Sequence, residues 1–345
     1  MNYDELTDTL NRFMPTFGDL FRDLCEQLMA GELPGLDRIR EMCISTVKEN
    51  VADMMYVMIS LLMIGLLSAV LHQFGNVFGN RQIADLAFYF TYLYGVILLL
   101  QVFYVMAETA VLVVENIISF TQILIPAFYI AVAMCYASIT AGAFYQLNLL
   151  LLYAVEIIFP EVVIPLVTCF VFVSVISGST EDDRFAELIS LIKKGVALLI
   201  KFCITTVTGV GVMKSLIHPV ADSVSFTMVQ KTVAAIPGIG DITDSVSKMF
   251  LGSAVLIKNS VGMAGLIVLS VLFLIPVCKL ILLILMYMVS QAIVQPVADK
   301  RMLACIHSAA EGMTLLLKIE GTVFVLLFLS MAIMSAASGS VFGGW

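Results

Sequence analysis

The sequence predicts an all-α, polytopic integral membrane protein of about seven (six to eight) transmembrane helices, with broken or re-entrant segments among them. Three observations lead there. Of 345 residues, 61% are hydrophobic and only 13% charged, against about 25% charged in a soluble domain. So few polar residues cannot cover a water-soluble fold. The apolar residues also come in continuous runs, such as Ile97-Leu-Leu-Leu100 and Leu280-Ile-Leu-Leu-Ile-Leu-Met286. Helices solvated by lipid read this way, whereas the strands of a spanning barrel alternate between lumen and lipid.

Residues 1–50 are read as an amphipathic helical N-terminal region. Leu6, Leu10, Phe13, Phe17, Leu20, Phe21, Leu24 and Leu28 recur at helical spacing. Gly31-Glu-Leu-Pro-Gly35 breaks the segment, and a second short helix follows over 36–50. Such a hairpin is expected to lie on the membrane or on a partner. Charges of both signs and the lack of an apolar h-region speak against a signal peptide over Met1 to Glu49.

Residues 51–340 are read as one polytopic membrane domain. Spans are expected over 52–71 and 83–106. Glu108, Glu115 and Asn116 make 107–120 interfacial, and a further span over 122–141 bends at Pro126. The run 144–177 exceeds one span, at about 20 residues each. Its Phe159-Pro-Glu-Val-Val-Ile-Pro165 holds two prolines, with Glu156 and Glu161 close by. That pattern predicts a broken helix or a tight turn between two short helices. A polar loop over 177–194 leads to a span over 195–213, then to a polar or re-entrant segment over 214–260. A long span over 261–294 contains Pro276 and Lys279. The last span, over 313–336, starts beside Lys318 and Glu320, which are placed at the interface.

Several function classes fall away. The net charge is -8, with 18 Lys plus Arg against 26 Asp plus Glu, and nucleic-acid binding needs clustered basic residues. The seven cysteines are scattered without a C-x-x-C pair, so no disulfide framework or metal site is expected. His72, His218 and His307 are isolated. Gly209 to Ser215 lacks the G-K-[ST] of a phosphate-binding loop. No cofactor is expected.

The candidate residues are polar groups within apolar runs, because a charge at the centre of a membrane helix costs about 2.5–3.5 kcal/mol on insertion scales. Lys201, Thr205 and Thr208 recur at i, i+4, i+7 on one helix face. That stripe lines a water-filled cavity, binds polar groups of another helix, or lets Lys201 snorkel to the interface. Lys279 has the same choice, or pairs with Glu156 or Glu161. Gly238-Ile-Gly240-Asp241 matches the GxGD signature of intramembrane aspartyl proteases, but those need a second aspartate at membrane depth, and no convincing span supplies one. The plainer reading is punctuation: Pro237-Gly238 ends one segment and Asp241 caps the next. Pro-Val-Ala-Asp occurs twice, at Pro219 to Asp222 and at Pro296 to Asp299. Each copy follows an apolar run and puts Pro at an expected helix N1 and Asp in its first turn, where the helix dipole favours an acid. The two copies read as boundary markers. Small residues, among them Gly262 and Gly265, permit close helix approach within the chain or between copies, which leaves a homo-oligomer open.

The block from Ser215 to Asp299 resembles the stage III sporulation protein AE family. "SLIHPVADSVSF", "AAIPGIGDITDSVSKMFLGSAVLIKNSVG", "IPVCKL" and "AIVQPVADKR" follow in its order and spacing, and the hydrophobic layout over 52–336 agrees. The family's usual leading hydrophobic segment is absent from residues 1–50. The resemblance implies a multi-pass protein of the mother-cell membrane around the forespore. It also implies a channel or export-platform subunit of a secretion-like complex needed for endospore formation. The lipid bilayer, a secretion-type ATPase and ring-forming sibling proteins are the partners it implies. It brings no catalytic residues, and no enzyme is expected. A stand-alone secondary transporter of a small polar solute is the alternative, with broken helices binding substrate at the midplane.

Overall fold

The computed structural model describes residues 15–30, 81–135, 139–179, 185–209, 240–296 and 300–337, together with scattered positions between 40 and 70. Every regular element among them is helical. In chain order these are α1 (Pro15–Met29), α2 (Arg81–Cys135), α3 (Ile139–Ile158), a π-helical turn (Phe159–Val163), α4 (Ile164–Ser179), α5 (186–209), α6 (Gly240–Val294) and α7 (Lys300–Ala337). Among the described residues, four stretches are long and apolar enough to cross a membrane: Tyr89–Pro126, Tyr145–Gly178, Asn259–Val294 and Arg301–Met331.

Against the expected seven, two spans fuse, the one expected over 195–213 is not apolar enough to be among the four, and the one expected over 52–71 lies partly outside the described residues. The spans expected over 83–106 and 122–141 are parts of one continuous helix, α2. Glu108, Glu115 and Asn116 do not interrupt it, because all three lie on its exposed side. Met106, Ala107, Ala110, Val113, Val114 and Ile117 cover its other face. Pro126 lies inside the helix. The break expected at Phe159–Pro165 is a widened turn: the Ile164 N–H bonds the Phe159 carbonyl, five residues back. Neither Pro160 nor Pro165 can donate an N–H, and a single π turn absorbs the misfit while the chain stays helical. Of the segment read as polar or re-entrant over 214–260, residues 214–239 lie outside the described residues and 240–260 are helical. The latter form the start of α6, whose backbone runs unbroken to Val294 with Pro276 inside it.

α7 sits at the centre, packed against α6, α4 and α2. Close contacts fix the directions. Phe273 of α6 stacks on Phe324 at 4.3 Å, and Gly265 of α6 faces Met331, so α6 and α7 run antiparallel. Gly178 of α4 meets Ala304 and Cys305, while Val171 meets Gly312, so α4 also opposes α7. Gly95 and Phe103 of α2 meet Met302 and Gly312 in that order, so α2 runs parallel to α7. Glycine makes these approaches possible: a Cβ on Gly265 would overlap Leu124, and one on Gly312 would overlap Val171. Gly265 therefore spends its small surface inside the chain.

The amphipathic stripe of α1 is expected on the membrane or on a partner. It docks on its own bundle instead, packing along α6 with Leu20, Phe21, Leu24 and Cys25 buried. Phe21 meets Phe120 edge-on at 6.5 Å. The stripe is thus satisfied within the chain.

α5 completes the path. α4 ends beside Ala304, at the start of α7, whereas α6 begins beyond the far end of α7, since Gly265 already faces Met331. The chain between them must therefore travel the length of the bundle. α5 lies on that path: Lys193, near its start, bridges to Glu311 of α7 and lies 5.1 Å over the Phe170 ring of α4. Its three lysines keep it out of the apolar class, yet Ile192, Val196, Cys203 and Val207 bury its inner face.

Candidate functional site

The described interior of the bundle is filled. Leu99, Phe103, Ala110, Ile117, Phe159, Phe170, Val268 and Leu316 are all fully buried, and they leave the polar chemistry to a few inward groups and to the outer face.

Lys201, Thr205 and Thr208 share the exposed side of α5, turned away from the core that Cys203 and Val207 enter. Among the described residues of one copy, they do not line a cavity. The threonine hydroxyls are occupied along their own helix: Thr205 donates to the Lys201 carbonyl at 2.8 Å and Thr208 to the Ile204 carbonyl at 2.9 Å. The Lys201 ammonium is left as the outward charge. With α5 taken to run in the same sense as α7 from the Lys193–Glu311 bridge, Lys201 falls near the level of Ile319, close to the middle of the apolar stretch Arg301–Met331.

The same level carries other charges. Phe103 lies opposite Gly312, which puts the exposed Glu108 and Glu115 of α2 near the levels of Leu317 and Phe324. The 273–324 stack sets the half-buried Lys279 of α6 at the same height, and Val171 against Gly312 does so for the exposed Glu161 in the π turn. Glu156 does not join Lys279; its Oε2 accepts from Gln122 Nε2 of α2 at 3.3 Å.

Glu320 is the residue that sequence reading misplaced. Expected at the interface, it is fully buried in the middle of α7, and neither carboxylate oxygen has a hydrogen-bond partner among the described residues. A signal was present. Residues 313, 316, 320, 323 and 327 follow the 3–4 spacing of a helix core stripe, and the other four, Met313, Leu316, Val323 and Leu327, are buried. Toward the start of α7 lies a smaller polar layer. Tyr92 and Cys305 are bonded through Oη and Sγ at 3.1 Å, and Cys305 approaches the Val175 carbonyl at 3.7 Å. The buried Ser174 and Tyr287 hydroxyls have no partner among the described residues.

The remaining candidates mark boundaries or fall outside the described residues. Gly240 is the first residue of α6, which puts Asp241 inside its first turn and not at the N-cap that the punctuation reading expects; Pro237 lies outside the described residues. Pro296 sits in the turn after α6, where the Gln295 N–H bonds the Gln291 carbonyl at 2.9 Å. It therefore follows a helix end and is not N1 of the next helix, which starts at Lys300. Pro219, Asp222, Gly238 and Asp299 lie outside the described residues. Among the described residues, no three His, Cys, Asp or Glu side chains converge on a metal-sized site.

The family model "Stage III sporulation protein AE" matches residues 15–338. A relative of that name from Bacillus subtilis (strain 168) is 22% identical over 279 residues, covering 81% of this chain and 70% of the relative. No solved structure matches.

Proposed function

The chain belongs to the stage III sporulation protein AE family, and from that membership and the layout of its charges we propose that it is a channel or export-platform subunit of a secretion-like complex between mother cell and forespore. Its role is in sporulation, and its four long apolar helices suit a membrane protein. In this reading it is multi-pass in the mother-cell membrane around the forespore and has no catalytic step of its own. A secretion-type ATPase supplies energy and ring-forming siblings a path across the intermembrane space. The observation that carries the conduit is the outward stripe of Lys201, Thr205 and Thr208 on a helix whose other face is buried against the bundle. A charge at that depth needs water or protein beside it, and the described residues of one copy supply neither. The conduit therefore forms outside the single bundle, between copies or against partners.

The test is genetic and biochemical. Deletion is expected to block sporulation after engulfment, and the tagged protein is expected to retain the sibling subunits on purification. Normal spores, or purification free of siblings, would remove the reading. Flux of a small polar solute through the purified chain alone would favour the secondary transporter. Proteolysis lost in Asp241→Ala but kept in Asp244→Ala would instead revive an intramembrane protease.

A further inference from the structure

We propose that copies of this chain associate head to tail, α5 of one against α2 of the next, with Lys201 seated between Glu108 and Glu115. The inference rests on the membrane placement proposed above and deepens it by naming the partner of the outward stripe as a second copy.

Three observations converge. First, both faces are exposed. Lys201, Thr205 and Thr208 form one stripe, and Glu108, Leu112 and Glu115 form another with the same i, i+4, i+7 spacing; Leu112 is 57% exposed. Second, their charges are opposite. Third, their heights agree. Counted residue for residue along α7, Glu108 falls near Leu317 and Glu115 near Phe324 from the Phe103–Gly312 contact, and Lys201, with α5 taken in the same sense as α7, falls near Ile319 from the Lys193–Glu311 bridge.

The membrane makes that agreement decisive. Two copies in one bilayer share a normal and a depth, so neighbouring surfaces meet at equal heights. A lysine and two carboxylates facing lipid near the middle of the bundle are each unfavourable, and mutual burial removes both penalties together. Polar groups at the same depth on facing helices are also the usual glue of membrane helix association. α2 runs parallel to α7, and with α5 in the same sense the contact is between parallel helices with the ammonium flanked above and below by acids. Because it joins two different faces, the contact is heterologous: repeated, it closes into a ring when its rotation allows. A ring gives the conduit a location that the filled interior of one copy does not.

Disulfide trapping in native membranes tests this without reference to spore formation. Two full-length copies with different tags are co-expressed, one carrying Thr205→Cys and the other Leu112→Cys, and oxidised mildly. The expected product is a cross-link bearing both tags, at least tenfold above the Thr205→Cys/Thr205→Cys and Leu112→Cys/Leu112→Cys pairings. Lys201→Glu is expected to lower that yield at least tenfold, and Glu108→Lys with Glu115→Lys on the other copy to restore it. Equal same-site yields, or no effect of Lys201→Glu, would overturn the interface. So would a Leu112→Cys that labels freely with membrane-impermeant maleimide and does not cross-link, because the charged level would then lie in water. A failed cross-link in cells that sporulate normally refutes the interface alone and leaves the sporulation role standing.

Discussion

Gly312 of α7 has no room for a side chain. A Cβ there would overlap Val171 Cγ2 of α4 and lie 2.9 Å from Phe103 Cε2 of α2. Val171 and Phe103 are fully buried, and a β-branched valine has few rotamers in a helix, so its methyl cannot swing aside. In Gly312→Ala two terms oppose. Helix propensity gains about 1 kcal/mol, while overpacking costs about 1–3 kcal/mol. The net expectation is a loss of up to about 2 kcal/mol. Val171→Ala removes the worst overlap and leaves the 2.9 Å approach to Phe103, so in that background most of the overpacking term is relieved and Gly312→Ala is expected between neutral and stabilising by up to about 1 kcal/mol. The coupling between the two sites is then about 1–3 kcal/mol. Helicity followed through unfolding in mixed micelles of rising dodecyl sulfate fraction measures each corner of the cycle. Effects that add to within about 0.5 kcal/mol would refute the notch.

Other sites give independent checks in the same assay. A methyl added at Gly195 of α5 would meet nothing within 4 Å, so Gly195→Ala is expected to stabilise by about 0.5–1 kcal/mol. Glu320→Met removes a buried carboxylate that has no partner among the described residues; a gain of about 1–3 kcal/mol is expected in the isolated protein, and a loss would mean that the carboxylate has a partner there. Lys193 and Glu311 are 38% and 36% exposed, so their double-mutant cycle should return no more than about 1 kcal/mol. Burial, with Glu26 adding, pushes the Cys25 thiol up to about 12. At pH 8 it should react with maleimide at least about tenfold more slowly than in the unfolded chain, and equal rates would contradict the docking of α1.

The helical class, the membrane setting and the family were all legible, because composition, uninterrupted apolar runs and a long ordered motif carry them. The number of crossings was not. In lipid-solvated helices, residues facing a neighbouring helix and residues facing acyl chains are equally apolar, so hydropathy cannot separate one long helix from two spans with a link. Glu108 and Glu115 read as a link, yet they occupy one edge of an unbroken α2. Pro160 and Pro165 read as a break, yet one widened turn absorbs them. Lys201, Thr205 and Thr208 read as a stripe, but which way it faces depends on the packing of α5, which local spacing does not encode. Glu320 is misplaced for a different reason: hydropathy starts the last span at 313, whereas the helix starts at Lys300 and carries the acid to its middle.

The apolar part of α2 has 38 residues, Tyr89–Pro126, or about 57 Å of helix. A bilayer offers a hydrocarbon slab of about 30 Å. Fitting one inside the other by leaning alone would take a tilt of about 58°, outside the observed range of about 0–40°. Hydrophobic mismatch is therefore built into the bundle. About 13 Å of greasy collar projects past each leaflet when it stands centred and upright, unless the bilayer thickens around it or other proteins sheathe it. A short-chain detergent leaves such collars bare, and a thick bilayer or a long-chain amphiphile suits this protein better.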